Sequence, residues 1–213
     1  MEIVWLGHSS LRLRSGQVTL ITDPYSHSLG FPMMPQDADI VTMSNSHPHH
    51  SNCDAVGGNP RVLRGPGEYE IADFYINGMG TRLSGGEDEG DRQINTVFTI
   101  RAEGLTLCHL GDLNEALSPG KVQELNQTDV LFVPAGGKCT VSSTRIAALV
   151  NLIGPRIVIP LHYRVEGVEV DLEPLDGFLN EMGVSEASPQ PRLNVTLSNL
   201  PRDRRIDVLR LTT

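Results

Sequence analysis

Cysteine is scarce in this chain of 213 residues: Cys53, Cys108 and Cys139 are all it has. The number is odd, the spacings are wide and no CxxC pair occurs, which argues against a disulfide framework and against a zinc site built on cysteines. Few cysteines also fit a reducing compartment. Basic residues are in deficit, with 17 Lys and Arg against 26 Asp and Glu, a net charge of -9. The pI is about 5.2. A phosphate backbone rewards clustered cations, and Arg202, Arg204 and Arg205 form too short a cluster to favour nucleic acid as a partner. Long apolar runs are missing too: none approaches the ~18–20 residues needed to cross a bilayer. The start, MEIVWLGHSS, lacks a basic stretch followed by an apolar one. The expectation is a cytoplasmic protein with a small-molecule substrate or ligand, no nucleic acid and no membrane; oligomeric state is not legible.

What is present is ordinary globular material, 39% hydrophobic and 20% charged, with 21 Gly and 14 Pro to make many turns. The length suits one domain or two small fused halves. Short strands are expected at Glu2–Leu6, Leu11–Arg14 and Val18–Thr22 as an antiparallel meander, then at Asp39–Met43, Arg61–Arg64, Glu68–Ile71 and Phe74–Asn77. Asn95–Arg101 and Leu105–His109 flank a Glu103-Gly104 turn. Asp129–Val133 and Arg156–Pro160 read as buried strands, and Asn194–Ser198 and Ile206–Leu211 close the series. Helices are expected from Ser118-Pro119 to about Asn126, over Ser142–Ile153 and over Leu172–Met182. Residues 84–93, SGGEDEGDRQ, read as a polar acidic loop. Strands first, then strands alternating with helices, predict an α/β (α+β) chain of two mixed sheets with helices on their outer faces.

The chemistry concentrates in histidine. Of seven, His47, His49 and His50 fall within four residues, in SNSHPHHSN, just after the strand Asp39–Met43. Neutral imidazole is the commonest nitrogen ligand for zinc and also suits iron and nickel. Asp112, in CHLGD, and His162, in IPLHY, stand just past two other strand ends, where loops usually carry sites. Taken singly, the cluster could be a surface loop, Asp112 a turn residue and His162 a hydrogen-bonded core histidine. Three matching strand ends together favour one cation.

With those residues in place, the chain resembles the metallo-β-lactamase superfamily. The resemblance is to its small metal-dependent hydrolases related to L-ascorbate-6-phosphate lactonase. It runs through IVWLGHSSLRL, LITDP, the histidine cluster, GPGEYE, CHLGD, DVLFVPAGG and VIPLHY. It implies residues 1–213 as one four-layer αββα sandwich, with the site at one edge between the sheets. The histidine motif departs from the family's His-x-His-x-Asp-His. With the strand end unshifted, Asn45 takes the first His position, His47 the second, His49 the Asp position and His50 the last. A shift of two residues would instead leave Ser51 and Asn52 where Asp and His belong. A later family histidine falls where this chain has Arg82, Leu83 and Ser84.

The resemblance thus implies one divalent metal rather than two, zinc first, with Mn, Fe or Ni also compatible. Its candidate ligands are His47, His49, His50, Asp112 and His162, with Asp112 and His49 as the candidate catalytic pair. In the family a metal-bound water attacks an ester, lactone, amide or phosphodiester. A closed set of four protein ligands would instead make a quiet structural or regulatory site, and both readings stay open. Supporting positions are His8 near the site, Asp23 behind the ligand loop, Asn45, Glu68 in GPGEYE, Gly136 and Gly137 shaping a loop, and Tyr163 beside His162. His109 reads as structural.

Overall fold

A computed structural model describes residues 1–83 and 94–212. The first strands are β1 (Glu2–Gly7), β2 (Ser10–Ser15), β3 (Val18–Thr22), β4 (Gln36–Asp37), β5 (Ile40–Met43), β6 (Val56–Gly57) and β7 (Arg61–Arg64). They continue with β8 (Gly67–Ile71), β9 (Phe74–Arg82), β10 (Ile94–Ala102), β11 (Leu105–His109), β12 (Val130–Pro134), β13 (Ile157–Leu161), β14 (Leu193–Asn194) and β15 (Arg205–Ile206). The helices are α1 (Pro119–Glu124), α2 (Ser143–Ile153) and α3 (Asp176–Glu181).

The strands form two mixed sheets, ordered β14-β1-β2-β3-β5-β7 and β15-β13-β12-β11-β10-β9-β8, with β4 and β6 as a small separate pair. The predicted meander is β1-β2-β3, antiparallel throughout. Pairing turns parallel from β3 to β5 to β7, and again from β11 to β12 to β13. Every residue of β12 and of β13 is buried, as continuous apolar strands of a parallel sheet should be.

One apolar core, including Ile3, Trp5, Leu11, Leu20, Phe98, Leu107 and Ile159, joins residues of both sheets. Ile146, Val150 and Ile153 of α2 extend that core. A second cluster, including Val4, Leu6, Ile21, Tyr25 and Val41, lies on the opposite-facing residues of the first sheet. Among the described residues its cover includes Leu29, Met33, Val56, Val168 and Val170, with 3-10 turns at His27–Leu29 and Cys53–Ala55 in place of an α-helix.

Several predicted boundaries shift, each for a local reason. The helix expected over Leu172–Met182 is only α3, because Pro174 disfavours a helical conformation at Glu173. The Glu173 amide donates instead to Gly136 O and its carbonyl accepts from Arg164 N. Asn194–Ser198 is not a strand beyond Asn194: Thr196 and Asn199 form a capping box around a 3-10 turn. The segment expected at Ile206–Leu211 joins β13 only at its start, through Arg205–Ile206 and the Asp207 amide, while Val208 and Arg210 bond to Gln190. The strand expected at Phe74–Asn77 runs on to Arg82, because β10 pairs with it along its length. α1 opens as expected at the Ser118 cap with Pro119 inside, and α2 stops at left-handed Gly154. The acidic loop of residues 84–93 lies outside the described residues.

Candidate metal centre

Five connections converge at one edge of the two sheets. His8 follows β1, Asp23 follows β3, His50 lies on the loop after β5, Asp112 follows β11 and His162 follows β13. Three of these residues hold left-handed backbones without being glycine: His8 at φ 48°, Asp23 at φ 39° and His162 at φ 53°. Such conformations cost free energy and cluster at functional sites. Here tertiary bonds impose them. His162 N–H and Trp5 Nε1–H both donate to the His8 carbonyl, at 3.0 and 2.9 Å.

One ligand atom from each of His8, His50 and His162 lies within 4.8 Å of the other two. The rings of His8 and His162 are 3.9 Å apart, His8 and His50 5.1 Å, and His50 and His162 5.5 Å, all three buried. Asp112 faces them, its carboxylate oxygens 3.8 Å from His50 Nε2 and 3.6 Å from His162 Nε2. These separations exceed a hydrogen bond. They lie close to the about 3.4 Å between two ligands each ~2.0–2.1 Å from one tetrahedral ion. His8 Nδ1, His162 Nδ1 and Asp112 Oδ1 are buried without a hydrogen-bond partner, although buried polar atoms nearly always have one. The donor set therefore fits a divalent ion.

Charge states agree with that fit. Burial pulls His162 down to about 4, and burial plus the neighbouring imidazoles pulls His8 well below its ordinary value, so both rings are neutral donors near pH 7. His50 is different. Burial opposes its charge, but the Asp23 hydrogen bond and the Asp112 carboxylate outweigh it and raise the pKa. Asp23, expected behind the histidine loop, is buried against it. Its Oδ2 lies 2.9 Å from His50 Nδ1, and its two oxygens accept from the Ser44 amide and hydroxyl at 2.7 and 2.6 Å. With Nδ1 committed, the Nε2 of His50 is the atom turned to Asp112.

His50, Asp112 and His162 thus meet, and His8 stands among them rather than behind them. His47 and His49 do not converge on the same point. His47 is exposed, and Asn45 Oδ1 accepts its amide at 2.8 Å in a local turn. His49 Nε2 bonds Ser28 Oγ at 3.1 Å, and its ring packs 4.6 Å from His47 and 5.9 Å from His8, at the rim. Gly136 lies where a Cβ would stand 2.3 Å from His162 O, so its loop backs His162 directly. Gly137 is left-handed, with Glu173 beside it. Tyr163 is packed on Trp5, 5.0 Å between rings, and burial pushes its phenol up. Glu68 is a correction: it is exposed on β8 opposite Asn77, in a groove with Glu70, Tyr75 and Arg101, because strand alternation points it outward. His109 is buried with Nε2 2.9 Å from Ser9 O, joining the sheets, as expected of a structural residue.

Two supporting residues escaped sequence reasoning. Asn95 on β10 accepts the Asp112 amide at 2.9 Å and donates to Leu110 O and Thr81 Oγ1, each at 3.0 Å, fixing the Asp112 turn. Ser44 joins Asp23 to the histidine loop, and its carbonyl accepts from Thr96 N at 2.7 Å, linking the sheets. Gly111, at φ 61°, passes between them: a Cβ there would lie 2.4 Å from Asn95 Oδ1 and 2.5 Å from Ser44 Cβ. No motif marks an Asn or Ser of this kind.

Residues 2–162 match the β-lactamase superfamily domain family. The chain belongs to the metallo-β-lactamase superfamily. A relative from Archaeoglobus fulgidus, named UPF0173 metal-dependent hydrolase, is 25% identical over 194 residues, covering 76% of this chain and 83% of its own. Another of that name, from Methanopyrus kandleri, is 26% identical over 226 residues, covering 86% and 94%. A crystal structure from Thermotoga maritima, presented as that of a candidate Zn-dependent hydrolase of the superfamily, matches with TM-score 0.81 and 31% identity over 99% of each chain. In this superfamily member the left-handed His8 and His162 are thus part of a two-sheet fold shared with metal-dependent hydrolases.

Proposed function

We propose that this chain is a metal-dependent hydrolase of small esters, lactones or phosphoesters, working with one divalent ion. The observation that carries the reading is the convergence of three buried imidazoles and the Asp112 carboxylate, with buried donor atoms left without partners. The relatives' names support it. His8, His50, His162 and Asp112 would hold the ion, zinc being the first candidate for a nitrogen-rich set. When bound, the ion lowers the pKa of water toward neutrality and polarises a substrate oxygen. Asp112 is about one-sixth exposed, and its carboxylate is the acceptor placed to orient and deprotonate an incoming water. His49, its ring 5.9 Å from that of His8, would meet substrate or relay the proton outward. A cavity of about 380 Å3, lined by Ser44, Asn45, Ser51, Arg64 and Thr96, opens beside the histidine loop and suits a small polar substrate.

A second reading is a catalytically silent metal- or ligand-binding member with a structural or regulatory role. That His47 and His49 are not grouped with His8, His50 and His162 favours it, since the family's second ion would lack ligands. A panel of ester, lactone and phosphodiester substrates, run with the wild type and Asp112→Ala, separates the two. Turnover in the wild type that is lost in the variant supports hydrolysis. A tightly held metal with no turnover on any substrate supports the silent reading.

A further inference from the structure

The loop after β12 brings a sulfur to the same face as Asp112 and His162. One ligand atom from each of Asp112, Cys139 and His162 lies within 4.8 Å of the other two. Two of the three carry a buried atom with no hydrogen-bond partner. His162 is 1% exposed yet its Nδ1 is unpartnered, and so is Asp112 Oδ1. The turn that carries Cys139 is anchored: Thr140 N–H and its hydroxyl both donate to Gly137 O at 3.0 and 3.1 Å, and Glu173 N–H donates to Gly136 O at 2.7 Å. Lys138 holds a left-handed φ of 57°, which turns the chain at this point. Cys139 itself belongs to no disulfide.

We propose that Cys139 is a ligand of the metal centre, making it a mixed nitrogen, oxygen and sulfur site. The proposal rests on the metal-centre reading above. On binding, a sulfur–metal bond forms and the thiol proton leaves to solvent. Sulfur donors favour Zn(II), Co(II) and other thiophilic ions over Mn(II) and Mg(II), so Cys139 sets metal choice. No pairing of cysteines is required, which is why spacing along the chain could not reveal it.

The test loads chelator-stripped full-length protein with Co(II) and records its absorption spectrum beside its cobalt content. The expected result is a thiolate-to-cobalt charge-transfer band in the near ultraviolet for the wild type. The band should be absent in Cys139→Ser and Cys139→Ala, which still hold cobalt through His8, His50, Asp112 and His162. Peptide mapping after iodoacetamide treatment should show Cys139 alkylated in stripped protein and protected by bound metal. Buried Cys108, its thiol pushed up to about 12, should stay unmodified in both. Cobalt bound by the wild type without the band, or a band that survives both substitutions, overturns the role of Cys139 and leaves the centre standing. No cobalt bound by the wild type overturns the metal centre itself, and the cysteine ligand with it.

Discussion

At the scale of single residues, the account turns on what each buried group lacks. Asp23 has two oxygens and spends both, on Ser44 and on His50. Replacing it with Asn leaves the shape but removes the charge that fixes the His50 tautomer. Asp23→Asn should weaken metal affinity by about 10–100-fold, read by competition with a chromophoric chelator. Stability should also depend on pH in the metal-free protein. His8 and His162 have folded pKa values below their unfolded value near 6.5, so the unfolded chain binds more protons as pH falls. The stability they allow is present above about pH 6.5 and is lost toward pH 4, at up to ~1.4 kcal/mol per unit for each. His50 is raised, so its contribution is full below about pH 6.5 and declines as pH rises through its folded value. Urea denaturation of stripped protein should therefore show an optimum near pH 6.5–7. A profile still rising on acidification to pH 5 would contradict the assigned charge states. His50, Asp112, His162 and Asp23 were legible because each is a chemically distinctive residue just past a strand. Ser44, Asn95 and Cys139 were not, because common residue types become informative only once distant loops meet.

At the scale of elements, glycine and proline explain both the successes and the misses. The Ser118-Pro119 start and the Gly154 stop are local signals and predicted α1 and α2 within a residue or two. The C-terminal segments were misread because extended apolar sequence does not by itself say whether a sheet edge is available. Residues 206–211 find Gln190 rather than a full neighbouring strand. The Asp112 turn shows how an element makes a site. Gly111 has a left-handed φ and no room for a methyl group between Asn95 and Ser44. Gly111→Ala should cost about 1–3 kcal/mol and lower metal content together. Asn95→Ala should cost a similar ~1–3 kcal/mol, since it strands the Asp112 amide and the Leu110 carbonyl. Thermal melts paired with metal analysis check both. Gly111→Ala with an unchanged melt would show that the turn is not confined as described.

At the scale of the whole molecule, the centre joins the two sheets. His8 and His50 extend from β1 and β5 of one, Asp112 and His162 from β11 and β13 of the other. An ion held by all four would tie both sheets at one edge and would bind only the folded chain. Metal at 100 times its Kd should stabilise the protein by about 2.7 kcal/mol, so chelation should lower Tm and zinc should restore it. The two-sheet architecture was legible from the strand and helix pattern and the family resemblance. The convergent cluster was legible only in part, because three adjacent histidines draw the eye while His8, alone near the start, stands with His50 and His162. The most direct measurement is therefore metal content, by elemental analysis after gel filtration, of His8→Ala and His47→Ala side by side with wild type. The account predicts that His8→Ala loses the ion and His47→Ala keeps it. Retention by His8→Ala with loss from His47→Ala would contradict it.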